Sequence, residues 1–344
     1  MCANRLGIMD SLEVYSDDEQ EALWFKQLDD RLLGVDHHIL KGDLPDYITN
    51  LLAYDRPDII MVVDEDPVLV VEKSSEVPSG HNMGQRFGRM VRAAEHDVPS
   101  IMFFPYLAMK HGKYAGECYA NARYFKAMWE VSRIHDTPFW SINWPCDDDA
   151  ELINDGTEDE LLGRFITEFV DNGFEVDGLD VAENVKEEMQ WGYDRSVDVN
   201  PAYESLPRSA KIRDTKEVVE EWREGRGEVE LPDGFFDREE TLVYKCNMSP
   251  EKCRREDPYA GMQFVYDYGW CREGPDPSEK HRNLVINVPK VTRSTWVTKN
   301  PNDPSRKSSQ WYATAEAFAL KDGVVCDFEN LERYREGEDL EQYT

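Results

Sequence analysis

The sharpest pattern of apolar and polar positions lies between Arg56 and Glu76. Asp58 opens the apolar run Ile59 to Val63. The polar turn Asp64-Glu65-Asp66-Pro67 follows, and Val68 to Val71 lead into Glu72, Lys73 and Ser74. Two short β-branched runs bounded by turn formers predict a β-hairpin. Antiparallel pairing brings Asp58 and Glu72 to one open end, and regular alternation sends Lys73 to the face opposite Glu72.

Downstream, Phe87, Met90, Val91 and Ala94 recur at spacings of three and four and predict a helix from Gly84 to about Asp97. Its other face carries Gln85, Arg89 and Arg92. Ser100 to Pro105 reads as the next strand. Before the hairpin, the pattern predicts a helix over Asp17 to Leu33 capped by Ser16, a strand start at Asp36-His37-His38, and a short helix over 44–54. Tyr114 to His135 reads as an amphipathic helix. Helices are further expected over Leu161–Phe169, Val181–Trp191 and Thr215–Arg223, with Asn200 to Asp214 as loop. Leu242–Lys245, Met262–Tyr268, Leu284–Val288 and Trp311–Ala319 read as strands or short elements, and Thr292 to Ser309 as a basic loop.

Composition sets the bounds. The chain has 344 residues, with 9 Trp, 16 Tyr and 14 Phe, enough length and aromatic content for a large core. Its net charge of −31 is unevenly spread. Asp147 to Glu240 holds 30 acidic and 10 basic residues, a net of −20. Ser74 to Pro145 holds 8 basic and 6 acidic residues, a net of +2, and Lys280 to Gln310 holds 7 basic residues and one acid, a net of +6. The two basic islands are candidate nucleic-acid surfaces on a background resembling the acidic proteins of halophiles. These shifts divide the chain into an expected core over 1–145 with an N-terminal helical extension, an acidic helical insertion or linker over 146–240, and an α+β unit over 241–344.

The hairpin carries the candidate chemistry. Two carboxylates, Asp58 and Glu72, suit a hard cation such as Mg²⁺, which keeps several waters and takes phosphate oxygens as further ligands. Ser79 to Arg89 follows directly and is dense in groups that hold phosphate or bases: His81, Asn82, Gln85, Arg86 and Arg89. Lys110 comes after the next strand. Arg293, Lys299, Arg306 and Lys307 make a C-terminal basic cluster around Trp296. The seven Cys are scattered and lack the paired spacing of a zinc site.

Pro57-Asp58, a spacer, and Glu72-Lys73-Ser74 together resemble the PD-(D/E)xK core of type II restriction endonucleases and recombination nucleases, over roughly residues 45 to 108. The resemblance implies an α/β (α+β) fold with a mixed central sheet flanked by helices, to which the C-terminal unit is added for target recognition. It implies a Mg²⁺-dependent endonuclease cutting DNA, with Asp58 and Glu72 as metal ligands and Lys73, Ser74 and Gln85 as the groups that position water or phosphate. The family lysine is replaced by Ser74. Either Ser74 takes its role, a bulge turns Lys73 inward, or a lysine or glutamine from elsewhere supplies it. A homodimer and a cognate DNA methyltransferase are the implied partners. The alternatives are a repair or junction-resolving nuclease and a catalytically inactive DNA-binding protein of the same fold. With no signal peptide or long apolar span, a cytoplasmic location with no membrane contact is expected.

Overall fold

The computed structural model describes residues 12–75, 80–112, 115–154, 156, 159–247, 249–251, 258–299 and 314–326; for 80–82, 85, 258–260 and 297–299 it describes the backbone alone. The chain is mixed α/β and divides into two compact units, Met1–Glu204 and Ser205–Thr344.

In the first unit, β1 (Leu12–Ser16), β2 (Asp36–Ile39), β3 (Ile59–Val63), β4 (Asp66–Lys73), β5 (Ser100–Phe104) and β8 (Phe139–Asn143) form a six-stranded sheet in the order β2-β1-β3-β4-β5-β8. The β1–β3 and β3–β4 pairs are antiparallel, whereas β1–β2, β4–β5 and β5–β8 are parallel. A two-stranded ribbon, β6 (Leu107–Lys110) and β7 (Gly116–Tyr119), follows β5. The expected hairpin is present, with a tighter turn. Asp64 and Glu65 both take positive φ (52° and 67°), and Asp66 and Pro67 already pair with Val63 and Val62.

Helices cover both faces of the sheet. On one side lies α1 (Glu19–Lys26), whose cap is Asp18 rather than Ser16: Asp18 accepts from the N–H groups of Gln20 and Glu21, while Ser16 ends β1. A short α2 (Asp46–Thr49) precedes β3. On the other side lies α3 (Gly80–Ala94), which starts a turn earlier than its apolar stripe. Its Phe87 packs on Phe139 of β8 with ring centroids 5.0 Å apart. Helix α4 (Ala122–His135) begins after β7, because Asn121 caps it and the residues before it pair as the ribbon.

Two further helices, α5 (Glu160–Asp171) and α6 (Val181–Val199), come from the acidic stretch. Most of their acids are exposed, Glu168 and Glu188 being partly buried, and Phe165, Phe169, Val185 and Met189 are buried, so this half of the stretch belongs to the first unit. Helix α6 also closes the edge strand. The N–H groups of Ser141 and Asn143 on β8 donate to Met189 Sδ (3.3 Å) and Glu188 Oε2 (2.8 Å), leaving this edge partnered. Among the described residues, no helix is long and apolar enough to cross a membrane.

The second unit has its own mixed sheet in the order β10-β14-β13-β12-β11-β9, from β9 (Ala210–Asp214), β10 (Glu228–Val229), β11 (Glu240–Lys245), β12 (Arg282–Val288), β13 (Ala317–Leu320) and β14 (Gly323–Val325). Helix α7 (Thr215–Gly225) packs Val218, Val219 and Trp222 against Val285, Ala319 and Val324. The expected loop over 200–214 contains β9. The stretch 262–268 is helical, within α8 (Pro258–Trp270), and buried on every side, including the polar Gln263 and Asp267, so it shows no alternation of buried and exposed positions. The first part of the expected basic loop is α9 (Arg293–Lys299).

Candidate functional site

Asp58 stands immediately before β3, and Glu72 is the penultimate residue of β4. Two backbone bonds fix Asp58. Its carbonyl accepts from the N–H of Asp17 at 3.0 Å, and its Oδ2 accepts from the N–H of Lys73 at 2.7 Å. Glu72 is fully buried beneath α3.

The two carboxylates converge on one nitrogen. Arg89 Nη1 lies 2.7 Å from Glu72 Oε1, 2.8 Å from Glu72 Oε2 and 3.6 Å from Asp58 Oδ1. The rest of the same guanidinium holds Asp55 Oδ2, through Nε at 3.2 Å and Nη2 at 3.1 Å. Arg86, one turn earlier on α3, brings Nε to 2.9 Å from Glu72 Oε1. Residues three apart on a helix share a side, so one face of α3 presents two guanidinium groups to three carboxylates.

Burial pushes the Asp58 carboxyl up to about 8, and the neighbouring Glu72 charge adds to the rise; Arg89 and the Lys73 N–H act in the other direction. For Arg89, burial works against its charge, but Glu72 and Asp58 outweigh it and its pKa is raised. The cradle therefore favours a cation and resists an uncompensated pair of carboxylates.

Lys73 belongs to the opposite face. Its Nζ lies 4.2 Å from the ring centroid of Trp24 on α1, 5.3 Å from that of Trp144, and 3.6 Å from Glu21 Oε2. Trp24, Phe103 and Trp144 stack in sequence beneath it, with centroids 6.0 and 4.9 Å apart. The one register shift in the hairpin falls between Met61 and Val62, away from Lys73, so no bulge turns the ammonium toward Asp58. Its backbone touches the site and its side chain does not. Ser74 is buried, and its N–H donates to the Phe103 carbonyl at 2.9 Å.

Other expected site residues are placed less directly. The backbone of His81, Asn82 and Gln85 lies in the first two turns of α3, and their side chains lie outside the described residues. Lys110 ends β6, partly exposed; His111 beside it pairs with Glu151 at 2.9 Å. In the second unit, much of the basic island is neutralised locally. Arg282 pairs with Glu240, its register partner across the β11–β12 pair, at 2.6 Å. Lys280 is buried between Asp267 (2.9 Å) and Glu316 (3.1 Å), and Arg293 bonds Glu228 at 2.6 Å. Lys299 ends α9, and Arg306 and Lys307 lie outside the described residues.

Sequence reasoning missed Asp55, Glu21, Trp24 and Trp144. Asp55 carried a signal, since it lies three residues before Asp58; the others come from distant elements and carried none. Among the described residues, no group of three or more His, Cys, Asp and Glu side chains is arranged to hold a metal ion. The pair Asp58 and Glu72 nevertheless offers hard oxygen donors that already meet at a cationic nitrogen, which suits a Mg²⁺ ion completed by water. Compared with known protein families, curated proteins and solved structures, the chain matches none.

Proposed function

We propose that this protein is a Mg²⁺-dependent endonuclease that hydrolyses DNA phosphodiester bonds, with a restriction-endonuclease-like first unit of the PD-(D/E)xK type. The observation that carries the reading is the convergence of the Asp58 and Glu72 carboxylates on one cation position, Arg89 Nη1. This occurs at the open end of an antiparallel hairpin followed by a helix and a parallel strand. Asp58 and Glu72 would hold the ion, which when bound supplies an activated water and neutralises charge at the phosphate.

The chain's own residues do the rest. The Lys73 N–H orients Asp58, and Arg86 and Arg89 carry guanidinium groups suited to bidentate phosphate contact at the edge of the site. Ser74 shares the Glu72 face by strand alternation and takes the family lysine's place there. Restriction is the preferred biological setting, which brings with it a homodimer and a cognate methyltransferase as partners. Incubation with unmethylated plasmid and phage DNA and Mg²⁺, over a range of salt, should give discrete fragments that Asp58→Ala and Glu72→Ala both abolish.

A second reading is an inactive DNA-binding protein of the same fold. It is favoured by the paired state of Glu72 under Arg86 and Arg89 and by the ammonium of Lys73 facing the opposite side. Intact DNA under every condition, with DNA retained at low salt, would select it.

A further inference from the structure

The cradle that would take the metal already carries an internal cation, and this constrains how the site works. Arg89 does not sit beside the carboxylates as a bystander: Nη1 contacts both oxygens of Glu72 and approaches Asp58, while Nε and Nη2 hold Asp55. Glu72 is fully buried and the Arg89 side chain is 18% exposed, so the pairing is shielded from water and salt. A divalent ion bound to the facing oxygens of Asp58 and Glu72 would meet the Nη1 position at a distance two cations cannot share.

We infer that Arg89 and the divalent ion exclude each other at this cradle. Arg89 is a resident counter-ion that keeps the folded site neutral, and metal entry releases its guanidinium from Glu72 toward the rim. The inference rests on the proposed metal-dependent reading and assigns Arg89 a positioning role within it. Three features make the exchange workable. Arg86 remains within 2.9 Å of Glu72, so the buried carboxylate keeps a cationic partner during the change. Asp55 holds the Nε side of the guanidinium and supplies a pivot. The side chain stems from the third turn of α3, whose Phe87, Met90 and Val91 are buried, so the helix itself need not move. Release would also free a planar guanidinium for a phosphate when the ion is bound, coupling metal loading to substrate contact.

The test is cation binding, read without catalysis. Titration calorimetry with Mn²⁺ should show Arg89→Gln binding about tenfold or more tightly than the wild type, because a competing charge is gone. Glu72→Gln placed on that background should remove the gain. In the wild type, ¹⁵N-arginine side-chain spectra should show the Arg89 signal, assigned with Arg89→Lys, change on addition of Mg²⁺; this reading stands even where the glutamine variant does not fold. Unchanged or weaker Mn²⁺ binding by folded Arg89→Gln overturns the inference, as does an Arg89 signal that ignores saturating Mg²⁺. A wild type that binds Mg²⁺ and cuts DNA with an unmoved Arg89 signal sinks the exchange alone, leaving the nuclease reading in place. Tighter Mn²⁺ binding by the variant without cleavage by either protein upholds the exchange and removes the nuclease reading.

Discussion

The backbone N–H of Lys73 donates to Asp58 Oδ2 at 2.7 Å, while the Lys73 ammonium lies 4.2 Å from the Trp24 ring on the other side of the sheet. One residue thus ties the two strands of the candidate site together through its main chain and anchors the sheet to α1 through its side chain. The two contributions are separable. Lys73→Met keeps the N–H and the apolar stem but loses the cation–π and Glu21 contacts, so it should lower stability by about 1–2 kcal/mol. Mn²⁺ affinity should change little. Denaturant unfolding and calorimetry on one preparation check both, and a large loss of Mn²⁺ affinity would place the ammonium in the site.

Asp58 carries a pH signature. Its folded pKa, about 8, stands above the ordinary 3.8, so the folded state holds a proton that the unfolded chain releases. This contribution is complete below pH 4 and lost as pH rises through 8. Metal-free wild type should therefore lose stability relative to Asp58→Asn between pH 5 and about 8. Parallel stability curves for the two proteins would contradict the buried, protonated carboxyl.

Asp29 behaves in the opposite sense. Arg31 donates to both of its oxygens through its side chain and to Oδ1 through its backbone N–H, Thr167 of α5 donates a fourth bond, and its pKa falls to about 2. The stabilisation is present above pH 4 and lost as pH falls toward 2. Asp29→Asn should cost about 1–3 kcal/mol at pH 7 and little at pH 2. Urea midpoints at the two pH values measure the difference.

Gly192 of α6 leaves no room for a side chain. A Cβ there would stand 2.5 Å from Tyr106 Cδ2 and 2.8 Å from Phe125 Cζ, both in a packed core. Gly192→Ala should destabilise the first unit by about 1–3 kcal/mol despite the better helix propensity of alanine. A gain in thermal midpoint would show that the aromatic rings yield easily.

In the second unit, Lys280 is buried with Asp267 and Glu316, and its Nζ also donates to the Thr314 carbonyl at 2.6 Å. Removing the cation alone, as in Lys280→Met, leaves Asp267 and Glu316 with the more distant Arg272 (3.7 Å) and Arg238 (3.6 Å) and should cost about 3 kcal/mol. The double variant with Asp267→Leu should recover part of that loss. Additive costs in the double-mutant cycle would mean that the pair is not coupled.

The hairpin and α3 were legible because their periodicity is local: Ile59 to Val63 and Val68 to Val71 are β-branched runs around a turn, and Phe87, Met90, Val91 and Ala94 mark one helical stripe. The departure of Lys73 from the cradle was legible too, since it follows from strand alternation alone. The counter-ion role of Arg89 was not. Its place on a face with Gln85 and Arg92 is a sequence fact, but Asp55 and Glu72 reach it only through the fold of three elements. Charge counting misled for the same reason at Arg282, whose neutralising partner Glu240 is distant in sequence and adjacent across the sheet. The helix over Met262 to Tyr268 was not legible because a helix buried on every side, with even Gln263 and Asp267 inside, lacks the one-sided stripe that would announce it.

On the proposed reading, Asp58 and Glu72 form one cation-dependent hydrolytic site on DNA. Its most direct test is the Mg²⁺-dependent cleavage rate of a single duplex substrate by wild type, Asp58→Asn and Glu72→Gln, each first shown to be folded. Cleavage should require Mg²⁺ and fall at least about a hundredfold in both variants. Cleavage that survives either substitution, or none from the folded wild type at any Mg²⁺ or salt concentration, would contradict it.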